Sequence, residues 1–483
     1  MRIDGFGQAL SEVRNGMSSR FYWFSKPRVS KLTDDPSRSL TSVAGVEACI
    51  AESVWPETDR PDRFGVEAEA FPIVVSKGRP QGRIRLRDGN PSVLSVLDEV
   101  AASDSEVLER SEERLAYPIR SGGRITFEPG AQIEHATAPS DTPLEVVSEL
   151  KAVWDLIRAG FWSHQVCLLS LGVDPWNDAE LIPQQLDEGR YKAMAAHFGS
   201  RGPAGAVMMR NTCSLQISLD AGRGVTRQQR WVVANLISPV MTAMFTSSPA
   251  VGVRSLRARA WQTLDPTRTG FPDWDRIDDV DPIRDILERV LKADVIYIER
   301  NGTTTRGRKG WTFRDWVEEG HPTAGSPTPV DLDVHLTTLF AEVRARHGTL
   351  ELRGIDGIPQ RWWHVPLLIA GALLYDQVAR DLAMDALGPI ASRLNKTWST
   401  AATEGLNDPE LRFMAQTVAE LGLAAARRDS RRFDVQLTDS SEAFVEDFTF
   451  RGRSPADDLF PLLDDPRAAL RWAEPDHALK GVA

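Results

Sequence analysis

The stretch FGVEAEAF, residues 64–71, decides the fold. Small apolar residues alternate in it with Glu67 and Glu69, and the two-residue period of a β-strand places the two sets on opposite faces of a sheet. Two neighbouring carboxylates on one face of an apolar strand repel each other and lose hydration, unless cations or hydrogen-bond donors meet them. A bound metal ion would remove that cost, so the stretch predicts a central strand with a cation-binding face.

Three further segments repeat this alternation: RITFEPGAQIEHA (residues 124–136), NTCSLQISLD (residues 211–220) and TLELRGID (residues 349–356). In the first, a Pro-Gly turn separates two short strands whose polar sides carry Glu128 and Glu134. In the second, Gln216 lies on the polar face and offers a neutral oxygen ligand or a hydrogen-bond donor. In the third, Glu351 and Arg353 share the polar face, a combination suited to a phosphate site.

The alternation has a simpler interpretation, because glutamates on one face of a strand are also typical of an antiparallel sheet washed by solvent. Four such strands, with Gly-Pro turns, a glutamine and an arginine beside the acids, favour a shared site instead. Magnesium demands several oxygen ligands, commonly carboxylates together with substrate phosphates. The four segments therefore predict one magnesium site on the polar face of one sheet.

Longer helical patterns lie between the strands. The predicted helices run from Thr142 to Arg158, from about Thr226 through a proline kink at Pro239, from about Trp363 to Leu387, and near Ser42 to Ser53. No Pro/Gly/Ser linker interrupts the chain after Phe64, which favours one catalytic unit. We predict an α+β protein with an N-terminal extension or layer over residues 1–60, a single catalytic domain over 61–452 and a polar C-terminal tail over 453–483.

Composition narrows the class of function. The 483 residues are 42% hydrophobic and 26% charged, as in folded soluble proteins. A formal net charge of -11 disfavours nucleic acid as a partner, and the longest apolar run, Val365 to Tyr375, is too short for a membrane span of about 20 residues. Three scattered cysteines, without a CxxC pair, are typical of a reducing compartment. We expect a cytoplasmic protein that acts on small molecules; nothing in the sequence sets an oligomeric state.

Eight segments, in this order, resemble a known family: GVEAE, ITFEPGAQIE, GRYKAM, MMRNTCSLQISLDAG, SLRARAWQTLDPTRTG, WTFRDWV, HLTTLFAEVR and LELRGIDGIP. They resemble the glutamate-cysteine ligases of the plant and bacterial type, and most the branch that opens ergothioneine biosynthesis. The resemblance covers roughly residues 64 to 430, and ordered agreement of this kind is specific. Ala131 stands where the family has the second glycine of EPGGQxE, and residues 74–90 form a charged hairpin that is longer than expected.

The resemblance implies a fold akin to glutamine synthetase, with a curved, mostly antiparallel sheet and helices packed behind it. Its concave face would hold magnesium ions, ATP and glutamate. Carried over to this chain, the magnesium ligands are Glu67, Glu69, Glu128, Glu134 and Glu351.

The resemblance also implies roles for the polar side chains around these acids. Gln216 would lie beside the metal and ATP, and Arg353 would meet the ATP phosphates with its planar fork of donors. The arginine-rich segment would grip the glutamate carboxylate and the transferring phosphate through Arg257, Arg259, Trp261 and Arg268. Further candidates for amino-acid recognition are Arg190, Tyr191 and Arg210.

The reaction implied is ATP- and magnesium-dependent ligation of the glutamate γ-carboxylate to the cysteine amine through γ-glutamyl phosphate. No covalent enzyme nucleophile is required, so we interpret His135 and His335 as structural. One alternative is a ligase of the same superfamily that uses a different amine in specialised metabolism. A second is a non-catalytic homologue that binds an amino acid or a nucleotide; the presence of the charged ligands argues against it, because charges are costly to keep unpaired.

Overall fold

The computed structural model describes residues 38–111, 114–300 and 302–474. The strands in these residues are β1 (Phe64–Ser76), β2 (Arg79–Arg83), β3 (Tyr117–Pro118), β4 (Arg124–Phe127), β5 (Ile133–Ala136), β6 (Val166–Leu169), β7 (Leu215–Asp220), β8 (Tyr297–Arg300), β9 (Thr303–Arg306), β10 (Val343–Arg346) and β11 (Thr349–Leu352).

The α-helices of the described residues follow in chain order. They are α1 (Val43–Cys49), α2 (Val93–Ser103), α3 (Pro143–Ser163), α4 (Gly189–Gly199), α5 (Ala204–Arg210), α6 (Gly224–Met244), α7 (Leu256–Leu264), α8 (Pro282–Lys292), α9 (Phe313–Glu319), α10 (Pro329–Leu336), α11 (His364–Tyr375), α12 (Gln377–Leu387), α13 (Leu394–Thr403), α14 (Pro409–Arg428), α15 (Val435–Asp447), α16 (Pro455–Leu459) and α17 (Pro466–Ala473).

The main sheet of the described residues has nine strands, paired antiparallel throughout. Seven lie in the order β10-β11-β7-β1-β5-β4-β3, and the other two, β2 and β6, both pair with β1. The long strand β1 runs beyond the quoted stretch as far as Ser76. Its first half pairs with β5 and β7, and its second half pairs with β6 and β2. The predicted charged hairpin is formed by β1 and β2 with Lys77 and Gly78 at its turn, both at positive φ.

Helices cover the apolar face of this sheet. Phe64 points at α11, where a Cβ on Gly371 would lie 2.4 Å from the Phe64 ring. His135 of β5 points at α3, and its Nε2 lies 3.3 Å from Glu149. The helix α14 packs in turn on α11. The predicted α+β fold, with a mostly antiparallel sheet backed by helices, is confirmed.

The predicted helix from Thr142 matches α3, which Thr142 caps together with Glu145 in a capping box. The helix does not end before Gly160 but continues to Ser163. A Cβ at residue 160 would lie 2.3 Å from a methyl group of Val100, so this glycine allows α2 to pack closely against α3. The predicted helices near Ser42 and Thr226 are also present, as α1 and α6, and α6 contains Pro239.

The prediction of one helix from Trp363 to Leu387 is wrong. Two helices, α11 and α12, meet at Asp376, whose extended backbone ends the first helix. The Asp376 side chain then accepts a hydrogen bond from the Ala379 amide and caps the second helix. No proline or glycine stands at the break, so the sequence pattern alone joins the two helices.

Both ends of the described chain pack onto the sheet or its helices. Residues 1–37 of the predicted N-terminal layer lie outside the described residues, whereas α1 buries Val46 and Cys49 completely. In the segment after Gly452, α16 and α17 bury apolar side chains against the second half of β1. Among the residues described, no helix is both long enough and apolar enough to cross a membrane.

Candidate functional site

Strand register brings the predicted acids onto one face of the sheet. Glu67 on β1 stands opposite Gln216 on β7, and Glu69 stands opposite Glu134 on β5. On the far side of β7, Ser218 stands opposite Glu351 of β11. Residues in register share a face, so side chains from β1, β5, β7 and β11 converge as the alternation predicts.

This polar face is buried. Glu67 and Glu69 are each 7% exposed and Glu351 is 2% exposed. A solvent-washed sheet would leave these carboxylates hydrated, so the simpler interpretation of the alternating strands does not hold. Each acid instead requires a partner inside the protein or a bound cation.

Glu69 is the best satisfied of these acids. Its Oε1 accepts hydrogen bonds from Ser214 Oγ at 2.7 Å and from Gln216 Nε2 at 3.1 Å, and its Oε2 accepts one from the Ser214 amide at 3.0 Å. On the next strand, Thr126 Oγ1 donates to Glu134 Oε1 at 2.6 Å. Burial raises the pKa of both carboxyl groups, and the hydrogen bonds oppose that rise.

Glu351 lies between two arginines. Arg344 Nε of β10 and Arg353 Nη1 donate to its Oε2 at 2.5 and 3.1 Å. Burial alone would raise the pKa of Glu351, but the two guanidinium groups bring it down to about 2. Arg353 Nη1 also donates to Gln216 Oε1 at 2.5 Å. One hydrogen-bonded chain therefore runs across the sheet from β10 to β1.

Glu67 lacks such support. Its carboxylate accepts no hydrogen bond within the part of the chain that the structure describes, although it stands at the centre of the face. Burial, with repulsion from Glu134 and Glu351, raises the pKa of Glu67 to about 8. A cation bound here would replace the missing donors and restore the charged form.

Glu128 extends from the turn between β4 and β5. Gly130 in this turn has no room for a side chain, since a Cβ would lie 2.3 Å from the Arg210 carbonyl oxygen. Burial raises the pKa of Glu128 well above its usual range, and the charge of Arg190 opposes this rise. The Arg190 guanidinium lies 4.7 Å from the centre of the Tyr191 ring, so these two predicted recognition residues lie together near Glu128.

The donor set fits magnesium in its chemistry, because five carboxylates and one amide oxygen are the hard ligands that this ion prefers. The carboxylate of Glu67, which has no donor, marks where positive charge is lacking. Among the described residues, no three histidine, cysteine, aspartate or glutamate side chains form a ready-made metal-binding group. Glu69, Glu134 and Glu351 accept hydrogen bonds from Ser214, Thr126 and Arg344 instead.

Arg257 and Trp261 of α7 lie beside this face. Arg257 Nη2 donates to the Arg353 carbonyl oxygen at 2.7 Å, and its guanidinium lies 5.3 Å from the centre of the Trp261 ring. Two further nitrogens of Arg257, Nε and Nη1, are buried without a partner among the described residues. These nitrogens are available to an anionic ligand.

The structure does not bring the other predicted arginines to the acids. Arg259 is exposed on the outer side of α7, where its nearest polar contact is Gln262 Oε1 at 3.4 Å. Arg268 is buried in a separate cluster, where it binds Asp265 and the Thr338 hydroxyl and carbonyl. Arg210 contributes its carbonyl oxygen to the turn at Gly130, while its half-buried guanidinium experiences the charge of Glu180.

Sequence reasoning missed three residues that support the face. Arg344 holds Glu351, and Ser214 holds Glu69 through two bonds. Asp356 accepts hydrogen bonds from the Ser247 amide and from two serine hydroxyls, and thereby ties α7 to the end of β11. The segment LELRGIDGIP contains Asp356, but only the folded register shows that Arg344 faces Glu351.

The two histidines interpreted as structural both lie away from the acids, although Nδ1 of His135 is buried without a hydrogen-bond partner among the described residues. His135 is buried on the apolar face beside Glu149 of α3. His335 of α10 bonds to the Val290 carbonyl oxygen at 3.0 Å and stacks on the Phe313 ring. Neither side chain faces the acids.

Comparison with known proteins identifies the family of the chain. A family model described as glutamate-cysteine ligase family 2 matches residues 63–469. The chain belongs to this family.

Two bacterial relatives and one plant relative illustrate the range of similarity. Glutamate-cysteine ligase EgtA of Mycolicibacterium smegmatis is 35% identical over 82% of this chain and 86% of the relative. EgtA of Mycobacterium tuberculosis is 34% identical over 71% of this chain and 77% of the relative. The chloroplastic glutamate-cysteine ligase of Medicago truncatula is 30% identical over 62% of this chain and 60% of the relative.

Two solved structures show weak similarity to this chain in sequence and in fold. A chain in the complex between the prokaryotic ubiquitin-like protein Pup and its ligase PafA is 11% identical with a TM-score of 0.40, over 86% of this chain and 72% of that one. A glutamine synthase homolog is 11% identical with a TM-score of 0.27, over 80% of this chain and 71% of that one. With both scores below 0.5, these likenesses carry no argument about the site.

Proposed function

We propose that this protein joins the γ-carboxylate of glutamate to the amine of cysteine at the expense of ATP, with magnesium bound at the acidic face. The observation that carries the proposal is the face formed by the buried Glu67, Glu69 and Glu351 and the partly buried Glu134, with Arg353 beside it, in a chain of the glutamate-cysteine ligase family. The product, γ-glutamylcysteine, serves ergothioneine or a related thiol. The reaction takes place in the cytoplasm, in agreement with three free, buried cysteines.

A carboxylate resists attack by an amine, because the amine would have to expel an oxide. ATP supplies the phosphoryl group that converts the γ-carboxylate into a mixed anhydride, and magnesium supplies charge neutralisation and alignment for that transfer. The magnesium would be held by Glu67, Glu69, Glu128, Glu134 and Glu351, with Gln216 beside it.

The arginines of the site bind the negatively charged groups of the two substrates, the phosphates of ATP and a carboxylate of glutamate. Arg353, fixed by Glu351 and Gln216, presents its remaining donors to phosphate oxygens. Arg257, with two buried nitrogens unpaired, binds a carboxylate of glutamate against the Trp261 ring. Holding both reactants close and oriented supplies much of the rate acceleration.

The other predicted recognition residues differ in their place. Arg190 and Tyr191, near Glu128, contribute to amino-acid recognition. Arg259, Arg268 and Arg210 have no role in this proposal.

The direct test is mass-spectrometric detection of γ-glutamylcysteine from glutamate, cysteine, ATP and magnesium. We expect Glu67→Gln to lower the rate at least about 100-fold, because it weakens the central metal ligand. The matched control is Glu106→Gln, a change at an exposed glutamate, which leaves the rate unaltered.

The acceptor is tested separately by measuring ADP release with glutamate and each amino acid in turn. Cysteine is expected to give the highest turnover. If it gave no more than alanine or glycine, the acceptor would be a different amine and the protein a γ-glutamyl ligase of specialised metabolism. Failure to bind Mg-ATP at millimolar concentration would instead point to a non-catalytic homologue.

A further inference from the structure

A second carboxylate, that of Glu342, is buried beside the acidic face without a partner. Glu342 is 1% exposed, and neither of its carboxylate oxygens accepts a hydrogen bond from the described residues. Within the same residues, no lysine, arginine or histidine nitrogen lies within 4.0 Å of it. A carboxylate buried in this state is unfavourable, because it has lost its hydration and has no partner inside the protein. The protein retains it where a ligand is proposed to bind.

The position of this carboxylate is fixed by the ends of β10 and β11. The Arg353 amide donates to the Glu342 carbonyl oxygen at 2.9 Å, which continues the pairing of the two strands. A Cβ on Gly354 would lie 2.5 Å from Glu342 Oε2, so any larger residue at 354 would displace the carboxylate. The glycine therefore keeps the space that Glu342 occupies next to Arg353.

Arginine donors without partners lie close enough to this carboxylate to act on it through charge, although none is within 4.0 Å of it. Nε and Nη1 of Arg257 and Nε of Arg353 are buried without partners among the described residues, and Arg257 Nη2 contacts the Arg353 carbonyl oxygen. Burial raises the pKa of Glu342 to about 7, and the charges of Arg257 and Arg353 limit that rise, as nearby cations do. The other acid nearby, Asp356, already accepts hydrogen bonds from three serine donors, and it interacts with Arg257 through charge without a hydrogen bond.

Arginine nitrogens without acceptors and a carboxylate without donors, buried in one place, fit a ligand that carries one negative and one positive group. An α-amino acid has an ammonium group and a carboxylate on the same carbon atom, and the ammonium offers three donors in a compact group. We propose that Glu342 determines substrate specificity by receiving the α-ammonium group of glutamate, while Arg257 binds its α-carboxylate. The inference rests on the proposed function and deepens it, since it assigns the group that distinguishes an amino acid from a plain dicarboxylic acid.

The experiment compares glutamate with glutarate, which has both carboxylates but no ammonium group. ADP release is measured at saturating ATP, magnesium and cysteine for the wild type, for Glu342→Gln and for Glu342→Asp. The wild type is expected to prefer glutamate by about 100-fold or more in kcat/KM, because glutarate leaves the buried carboxylate unpaired. Glu342→Gln raises the KM for glutamate about 10- to 100-fold and leaves glutarate within about threefold, while Glu342→Asp retains part of the preference.

Several results would overturn this assignment. One is a wild type that uses glutarate as well as glutamate, which requires no variant to fold. Another is a Glu342→Gln variant that loses both substrates in equal proportion, as a purely structural residue would. Calorimetric binding of glutamate and glutarate in the presence of magnesium and ADP tests the assignment without turnover. A wild type that binds glutamate over glutarate but makes no γ-glutamylcysteine would contradict the proposed function alone.

Discussion

Ala131 is a residue whose backbone conformation suits glycine better than alanine. It lies in the turn that carries Glu128, has a φ of 66° and is completely buried. An L-residue in the left-handed region brings its Cβ close to the carbonyl oxygen that follows, which costs about 1–2 kcal/mol. The chain bears this strain in the segment where the family that it resembles has a second glycine.

We predict that Ala131→Gly stabilises the protein. The strain relieved is about 1–2 kcal/mol, and the greater freedom of glycine in the unfolded chain offsets about 0.5–1 kcal/mol of it. Urea unfolding should show an increase of about 0.5–1 kcal/mol in the free energy of unfolding, and the catalytic rate should change little. Gly130→Ala is the opposite control, since its Cβ would meet the Arg210 carbonyl oxygen and should destabilise the turn. An Ala131→Gly variant less stable than the wild type would contradict the strain argument.

For single residues, the sequence predicts which acids lie at the candidate site better than it predicts which arginines do. Glu67 and Gln216 follow from strand alternation alone, because a strand has a fixed side-chain period. Arg259 lies in a helix and Arg268 in a loop. For such residues, a resemblance gives the position in the sequence but not the direction in which the side chain points. Glu342 lies in the segment HLTTLFAEVR, which follows the order of the family, but its lack of a partner is a property of the folded surroundings.

The junction of α11 and α12 is the element that the sequence predicts least well. Asp376 ends one helix and caps the next, and its carboxylate also pairs with Arg428 at 2.7 Å. The first helix is buried on nearly all sides, whereas the second buries only Ala379, Arg380, Ala383 and Leu387. Both patterns are compatible with a helix, so the pattern alone does not show where one helix ends. The capping residue is the one local sign of the break, and an aspartate alone is a weak one.

We predict that Asp376→Ala destabilises the protein by about 1 kcal/mol through loss of the N-cap. Asp376→Asn keeps an acceptor oxygen for the Ala379 amide and loses only the charge that faces the exposed Arg428, which contributes a few tenths of a kcal/mol. Denaturant midpoints of the three proteins, with equal slopes, measure the difference. Equal losses in the two variants would show that the ion pair with Arg428, not the cap, holds the junction.

Across the whole molecule, buried carboxyl groups and the buried His335 have opposite effects on the free energy of unfolding in acid. Carboxyl groups with raised pKa take up protons in the folded state before they do so in the unfolded chain. His335 acts in the opposite direction, because burial and then Arg268 lower its pKa to about 3. The unfolded chain protonates this histidine near pH 6.5, so its contribution to stability is complete above that pH and is lost as the pH falls towards 3.

We predict that His335→Gln removes this dependence, because glutamine donates a hydrogen bond to the Val290 carbonyl oxygen but does not titrate. The free energy of unfolding of the wild type should fall relative to the variant by about 1.4 kcal/mol per pH unit between pH 6 and pH 4. Urea unfolding at pH 7.5, 6, 5 and 4 gives the difference between the two proteins. If the two curves ran parallel, the histidine would not be the group that titrates.

The place of β1 in the sheet has a consequence for how the chain is made. Ribosomes release this strand early, yet its neighbour β7 and then β11 follow much later along the chain. The nascent protein must keep the apolar side of β1 from wrong contacts until α11 and α14 emerge, the situation in which long-range sheets are slow to form and prone to aggregate. The acidic face is therefore completed only after Arg353 has been synthesised, and shorter nascent chains cannot assemble it.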